Sequence, residues 1–119
     1  MENITALEMA KYVGKHVRKL SPQMKQLNTT SQVPAILQII VSHMRDLCLR
    51  KNFPYVRRLL SCVGNLYEKG DLAIKQHIEY LFMYSFSRMD HLCSFKQWNS
   101  IINNLPLNLR NVYILQHIK

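Results

Sequence analysis

The pentapeptide "SHMRD", Ser42 to Asp46, holds a hydroxyl, an imidazole and a carboxylate, the three group types that nucleophilic catalysis assembles. Their spacing argues against that use. On a helix Ser42 and His43 stand about 100° apart, and Asp46 lies below both, so no relay is expected. The seven Asp and Glu residues are dispersed along the chain, with no pairing for acid–base work on a glycosidic bond. The histidines, His16, His43, His77, His91 and His117, form no HExxH pattern. In "HIEY" Glu79 follows His77 by two residues, which turns it to another helix face. "HLC", His91 to Cys93, offers two metal ligands, and no second local pair completes a set of four. The glycines Gly14, Gly64 and Gly70 are too scattered for either phosphate-loop motif. Cys48, Cys62 and Cys93 form no CxxC pair. Each falls in an apolar helical pattern, where free cysteine behaves as a small buried hydrophobe. The expectation is a protein without catalytic residues, metal or cofactor.

The chemistry that stands out is positive charge. The chain carries a net charge of +9, unevenly spread. Residues 1–60 hold ten Lys and Arg against three Asp and Glu, a net +7, and residues 61–119 hold six against four, a net +2. Lys11, Lys15, Arg18 and Lys19 recur at i, i+4, i+7 and i+8, one helical face opposite Met9, Val13, Val17 and Leu20. A second group, Arg45, Arg50, Lys51, Arg57 and Arg58, surrounds a predicted helix corner. A solvated face is the plain reading of such residues. Clustered like charge costs stability, however, and two groups that met would make one positive surface for an acidic partner.

Aromatic residues separate the candidate partners. Nucleic-acid binding uses aromatic rings for stacking or a recognition helix for base edges. The basic half has few rings, Tyr12, Phe53 and Tyr55, and no clear recognition helix. The rings gather instead in Tyr80, Phe82, Tyr84, Phe86, Phe95 and Trp98. Tyr80 and Tyr84, four apart on one helix, either line the core edge with wet hydroxyls or form an exposed pair of the kind favoured in protein interfaces. A protein partner is therefore the first expectation, and nucleic acid the alternative.

The elements that must position these residues are helical. With 119 residues the chain is long enough for one domain, 1–119. Its three Gly and four Pro leave little turn chemistry for a many-stranded fold. No apolar run approaches the roughly 20 residues of a membrane span, and the first residues lack the pattern of a secretory signal, so a cytoplasmic location is expected. The first helix is predicted to start at Thr5, whose "TALE" has the capping-box form, and to run to Leu20, where Ser21-Pro22 ends it. Residues 21–32 read as a polar loop in which "QMKQL" can make one helical turn. A second helix opens at Val33-Pro34, with Val33, Ile36, Leu37, Ile40, Met44, Leu47 and Cys48 facing the core.

A third helix follows from Phe53-Pro54 with Asn52 as its cap, and its core face is Val56, Leu59, Leu60, Val63, Leu66 and Tyr67. Gly70 is predicted to end it in the left-handed conformation, and Asp71 to cap the next helix. That join folds the two back as an antiparallel pair. The fourth helix, with Leu72, Ile74, Ile78, Leu81, Phe82 and Met89, is expected to be the most buried. A fifth starts at Ser94, whose "SFKQ" is again capping-box-like, and a short sixth follows the break at Pro106 with Leu109, Val112, Leu115 and Ile118. The fold class is all-α, an antiparallel bundle or a short HEAT-like stack of five to six helices.

Two stretches carry a resemblance. "LYEKGDLAIKQHIEYLFMYSF", with Glu79 inside an apolar helix, and "WNSIINNLPLNLRNVY" resemble small uncharacterised all-helical bacterial proteins, some of them immunity proteins of toxin–immunity pairs. In that group the second stretch reads as a tryptophan helix, a Leu-Pro break and a closing helix. The resemblance implies binding and carries no catalytic residue. Nuclease inhibitors are usually acidic, whereas this chain is basic, so a cognate toxin would have to present an acidic surface. The expected function is a non-enzymatic immunity or inhibitor protein of a bacterial cytosol. Lys11, Lys15, Arg18 and Lys19 would steer the partner, Arg45, Arg57 and Arg58 would extend that surface, and Tyr80 and Tyr84 would anchor it.

Overall fold

The computed structural model describes residues 4–27 and 33–117, and over these the chain is all-α. Helix α1 spans Ala6–His16 and is followed by a 3₁₀ turn, Arg18–Leu20. Helix α2 is Ser21–Gln26, α3 Val33–Leu49 and α4 Phe53–Lys69. Helix α5, Leu72–His77, passes into a π turn, Ile78–Phe82, and then α6, Met83–Ser87. A 3₁₀ segment, Arg88–Leu92, leads to α7, Phe95–Asn103, and α8, Leu107–His117, closes the described chain.

Local chemistry sets several of these ends. Thr5 and Glu8 form a complete capping box on α1, and Ser94 and Gln97 form one on α7. Each satisfies two backbone donors that a helix start leaves open. The Asp71 carboxylate accepts the Ile74 N–H at 3.0 Å and caps α5. Pro54 sits in the first turn of α4, where its missing N–H removes no helical bond.

The N-terminal region departs from the expected single helix. The chain leaves helical geometry at Val17 (φ −124°, ψ 84°). It then turns back, so that Leu20 and Met24 both reach the core beside Met9 and Val13. Pro22 thereby opens α2 instead of closing α1. The expected loop over 21–32 is helical as far as Gln26, and residues 28–32 lie outside the described part of the chain.

Gly70 is also corrected. Its backbone is extended, φ −72° and ψ 158°, not left-handed. Ile4 lies alongside, donating its N–H to Lys69 O at 2.7 Å and accepting from Asp71 N at 3.0 Å. Glycine is required here by crowding, because a Cβ would meet Leu66 O and Ile74 Cγ2 at 2.5 Å each. The N-terminal segment and the α4–α5 join thus close on one another through a single residue.

Helices α5 and α6 follow one another through the π turn, in which Met83 N–H donates to Ile78 O, five residues back. The added residue resets the helix register. Ile74, Ile78, Phe82, Met83, Phe86 and Met89 are all buried, whereas Leu72, expected in the core, is 69% exposed. The Phe86 ring lies 5.0 Å from Trp98 of α7 and 6.1 Å from Phe82, within the range of favourable aromatic pairs.

The α4 core face is buried as expected except for Tyr67, which is half-buried. Leu109 of α8 is buried, but Leu115 is 71% exposed, and the expected core residue Ile118 lies outside the described residues. Helix α8 returns to the middle of the molecule. Asn108 Nδ2 donates to Gly64 O of α4 at 2.9 Å, and Gln116 Nε2 donates to Glu79 O at 2.8 Å. That long-range return makes the fold a bundle around one core, not a stack in which each hairpin meets only its neighbours.

Candidate functional site

The site is built by the two ends that the sequence places beside charge. Where α1 stops, Lys15 and the 3₁₀ turn bearing Arg18 and Lys19 face the C-terminal half of α3, at His43 and Leu47, and the first two turns of α4, at Asn52, Tyr55, Arg58 and Leu59. Together they enclose a cleft of about 490 Å³. Leu47 and Leu59 are buried, while Lys15, Arg18, Lys19 and Arg58 are exposed around them.

The electrostatics of the cleft are one-sided. Among the described residues no carboxylate lines it. The ion pair among the described residues is Arg50–Asp46, at 3.1 Å between α3 and the residue that follows it, which leaves the cleft cations without acidic partners. Arg58 lies over the Tyr55 ring, 5.2 Å from its centroid, a cation–π distance. Burial holds the His43 imidazole below its ordinary pKa, with Lys19 and Arg50 adding to the depression and Asp46 opposing it. No side chain caps the start of α4, because Asn52 makes no cap hydrogen bond. The open N–H groups of that first turn keep their partial positive charge.

The residues singled out in the sequence divide. Lys15, Arg18 and Lys19 meet Arg58 in the cleft, so the two basic groups share a site in part. They do so through the turn after His16, not as one continuous helical face. Lys11, Arg45 and Arg57 are exposed but do not line the cleft. Tyr80 and Tyr84 are 76% and 57% exposed. Tyr80 borders a different groove of about 400 Å³, with Tyr67, Glu79 and residues of α8. Tyr55 and Tyr67, one at each site, are separated by about 18 Å along α4 at the helical rise. Tyr84 is engaged by Arg88, whose guanidinium lies 5.7 Å from the ring and whose Nη1 donates to the hydroxyl at 3.3 Å. The cations and tyrosines therefore occupy two surfaces, not one.

Sequence reasoning left His43, Asn52 and Tyr55 out of the site. The one local signal for them was the placement of Tyr55 and Arg58, three apart near a helix start rich in arginine. In the second groove the Tyr67 hydroxyl donates to Glu79. Burial, then that hydrogen bond and the charge of Glu79, push the Tyr67 phenol up to about 12.

The thiols of Cys48 and Cys62 are buried, and burial pushes them up to about 12 and about 11, with Cys93 adding to the shift of Cys48. Such thiols are poor nucleophiles at neutral pH. Among the described residues no group of three or more His, Cys, Asp or Glu is placed to hold a metal ion. Among them, too, no helix is long and apolar enough to cross a membrane.

No curated protein and no solved structure matches the chain. Residues 10–119 match the model of the family described as Domain of unknown function (DUF7674), a span that takes in every residue of the cleft, and the chain belongs to that family.

Proposed function

We propose that the protein is a non-enzymatic binding module that holds an acidic surface of a protein partner against its basic cleft. The observation that carries this reading is the convergence of Lys15, Arg18, Lys19 and Arg58 on one concavity with no carboxylate among its lining residues. Opposed charge of this kind speeds encounter and selects partners more than it adds raw affinity. Lys11, Arg45 and Arg57 enlarge the positive field around the cleft. Tyr80 and Tyr84 offer a second contact area, with the wet hydroxyls and large rings that interfaces favour.

The finer reading is an immunity or inhibitor protein acting on a toxin or effector in a bacterial cytoplasm. It is supported by the resemblance of the α4–α5 hairpin and the tryptophan helix, and by free cysteines, which suit a reducing compartment. A nucleic-acid partner is the second reading. It is favoured by exposed Tyr55 beneath Arg58, a ring and a cation in position for a base and a phosphate.

The test is capture of partners from native lysate by the wild-type chain and by a Lys15→Glu, Arg18→Glu double variant, with and without nuclease. One stoichiometric protein that survives nuclease and is lost with the double variant is the expected result. Recovery of nucleic acid, with partners released by nuclease, would replace the first reading with the second. Capture of the same protein unchanged by charge reversal would remove the cleft from its role.

A further inference from the structure

We propose that the cleft is a binding site for an organic phosphomonoester, with its phosphoryl group at the uncapped start of α4 and its carbon part on the apolar wall. The proposal rests on the reading of the cleft as the working site, and it names the group the cleft would hold.

Two independent features of the cleft call for an anion. The first is the start of α4. This helix has 17 residues and no side-chain cap. Pro54 brings no N–H, so Phe53 and Tyr55 carry the open donors of the first turn, and of these two residues Tyr55 lines the cleft. An anion seated there would act as the cap that Asn52 does not provide, in the manner of phosphates at helix starts. The second is the ring of side chains. Arg58 comes from α4 itself, while Lys15 and Arg18 come from the far wall. Positive groups thus face the same space from both walls, and no lining residue is acidic.

The geometry prefers a phosphomonoester to a carboxylate. A carboxylate presents two oxygens in one plane. A phosphomonoester presents three terminal oxygens and between roughly 1.5 and 2 negative charges near neutral pH. It can accept from the Arg58 fork, from a lysine on the opposite wall and from backbone N–H at once. The cleft, about 490 Å³, is far larger than inorganic phosphate and falls in the range of small-molecule sites. The rest of its lining is mixed, with the polar His16, His43 and Asn52 beside an apolar wall of Val17, Leu47, Leu59 and the Tyr55 ring. That wall has no use for a bare ion and suits a carbon skeleton. The same chemistry could reach the cleft as a free small molecule or as a phosphorylated side chain of the protein partner.

The experiment uses the purified chain alone. Inorganic phosphate, sulfate, phenyl phosphate and a short phosphotyrosine peptide with its unphosphorylated form are titrated at constant ionic strength, followed by calorimetry and by backbone amide shifts. Phenyl phosphate is expected to bind one to one, more tightly than phosphate or sulfate, and to move the amides of Phe53 and Tyr55. Arg58→Gln and, separately, exposed Lys15→Gln are each expected to weaken it by about tenfold, the effect of one charge-assisted hydrogen bond. Tighter binding of the phosphopeptide than of phenyl phosphate would assign the group to a partner's side chain, and the reverse order would assign it to a free molecule.

Equal response to sulfate and phenyl phosphate, or binding untouched by both substitutions, would overturn the proposal. Circular dichroism identifies a variant that has lost its fold, and Lys15→Gln, at a solvent-exposed position, keeps the test open if Arg58→Gln does not fold. Partner capture from lysate is a separate measurement. If it succeeds while phenyl phosphate fails to bind, the phosphomonoester is wrong and the protein-binding reading stands.

Discussion

Tyr67 of α4 donates its hydroxyl hydrogen to Glu79 of the π turn, twelve residues on, and so ties together the two arms of the hairpin that turns at Gly70. Both side chains are half-buried. Glu79 is held a second time through its backbone, where its carbonyl accepts from Gln116 of α8. Tyr67→Phe would leave a half-buried carboxylate without this partner and should lower stability by roughly 1–2 kcal/mol, read from urea denaturation. Because the folded protein raises the Tyr67 pKa to about 12 from an ordinary value of 10.0, the stabilisation is complete below pH 10.0 and is lost as pH rises through about 12. An ultraviolet titration of the six tyrosines should show a late step that Tyr67→Phe removes. If the absorbance lost in the variant titrates near the ordinary 10.0 and not later, the hydrogen bond is not formed in solution.

Gly70 gives a steric prediction at the same hairpin. Its N–H donates to Leu66 O at 2.7 Å, so the carbonyl that a new methyl would strike is fixed by the helix end. Gly70→Ala should therefore cost roughly 2–3 kcal/mol, the upper range for overpacking. It should also loosen the bridge to Ile4. Hydrogen exchange at the Ile4 and Asp71 amides would report that loss directly, whereas a left-handed glycine would have predicted strain without any effect on Ile4.

These two residues show what the sequence could convey. Helix starts were legible where the signal is local, as in Thr5 with Glu8 and Ser94 with Gln97, because both partners of a capping box lie within four residues. The conformation of Gly70 was not legible, since its cause is Ile4, a residue distant in sequence. The break at Val17 was hidden because Met9, Val13, Val17 and Leu20 fit an uninterrupted helix, and only the return of α2 onto α1 decides otherwise. The π turn was hidden because Leu81, Phe82 and Met83 are all apolar, so a shift of one residue leaves the pattern unchanged. The cleft was half legible. Lys15, Arg18 and Lys19 are neighbours in sequence, but Arg58 and His43 join them only through packing of α1 against α3 and α4.

His43 makes the cleft sensitive to pH. Burial and the nearby Lys19 and Arg50 oppose its protonation in the fold, against a smaller favourable effect of Asp46. The unfolded chain, with an ordinary value of 6.5, binds the proton more readily. The stability contributed by neutral His43 is therefore full above pH 6.5 and is lost as pH falls through the depressed value. Denaturation midpoints of wild type and His43→Gln between roughly pH 7 and roughly pH 5 should show the smaller decline in the variant. The other histidines are common to both proteins and cancel. Equal declines would place the imidazole in water, not against the cleft wall.

The crowding of cations predicts a stability that depends on salt in an unusual direction. Lys15, Arg18, Lys19 and Arg58 face one concavity without an acidic partner among its lining residues, and Arg58 alone has an aromatic ring to rest on. Repulsion between them opposes folding, since the unfolded chain lets them separate. Lys19→Gln should raise the thermal midpoint at low ionic strength, because it removes repulsion and breaks no ion pair among the described residues. Lys19 also adds to the depression of His43, so the same substitution should move the His43 titration back toward 6.5. Salt screens exposed charges over about 10 Å at 0.1 M, so the gain in midpoint should shrink as salt is added. A destabilised Lys19→Gln, or a gain that salt does not reduce, would mean that the lysine is held by a partner group and that the cleft is not the unbalanced positive site described above.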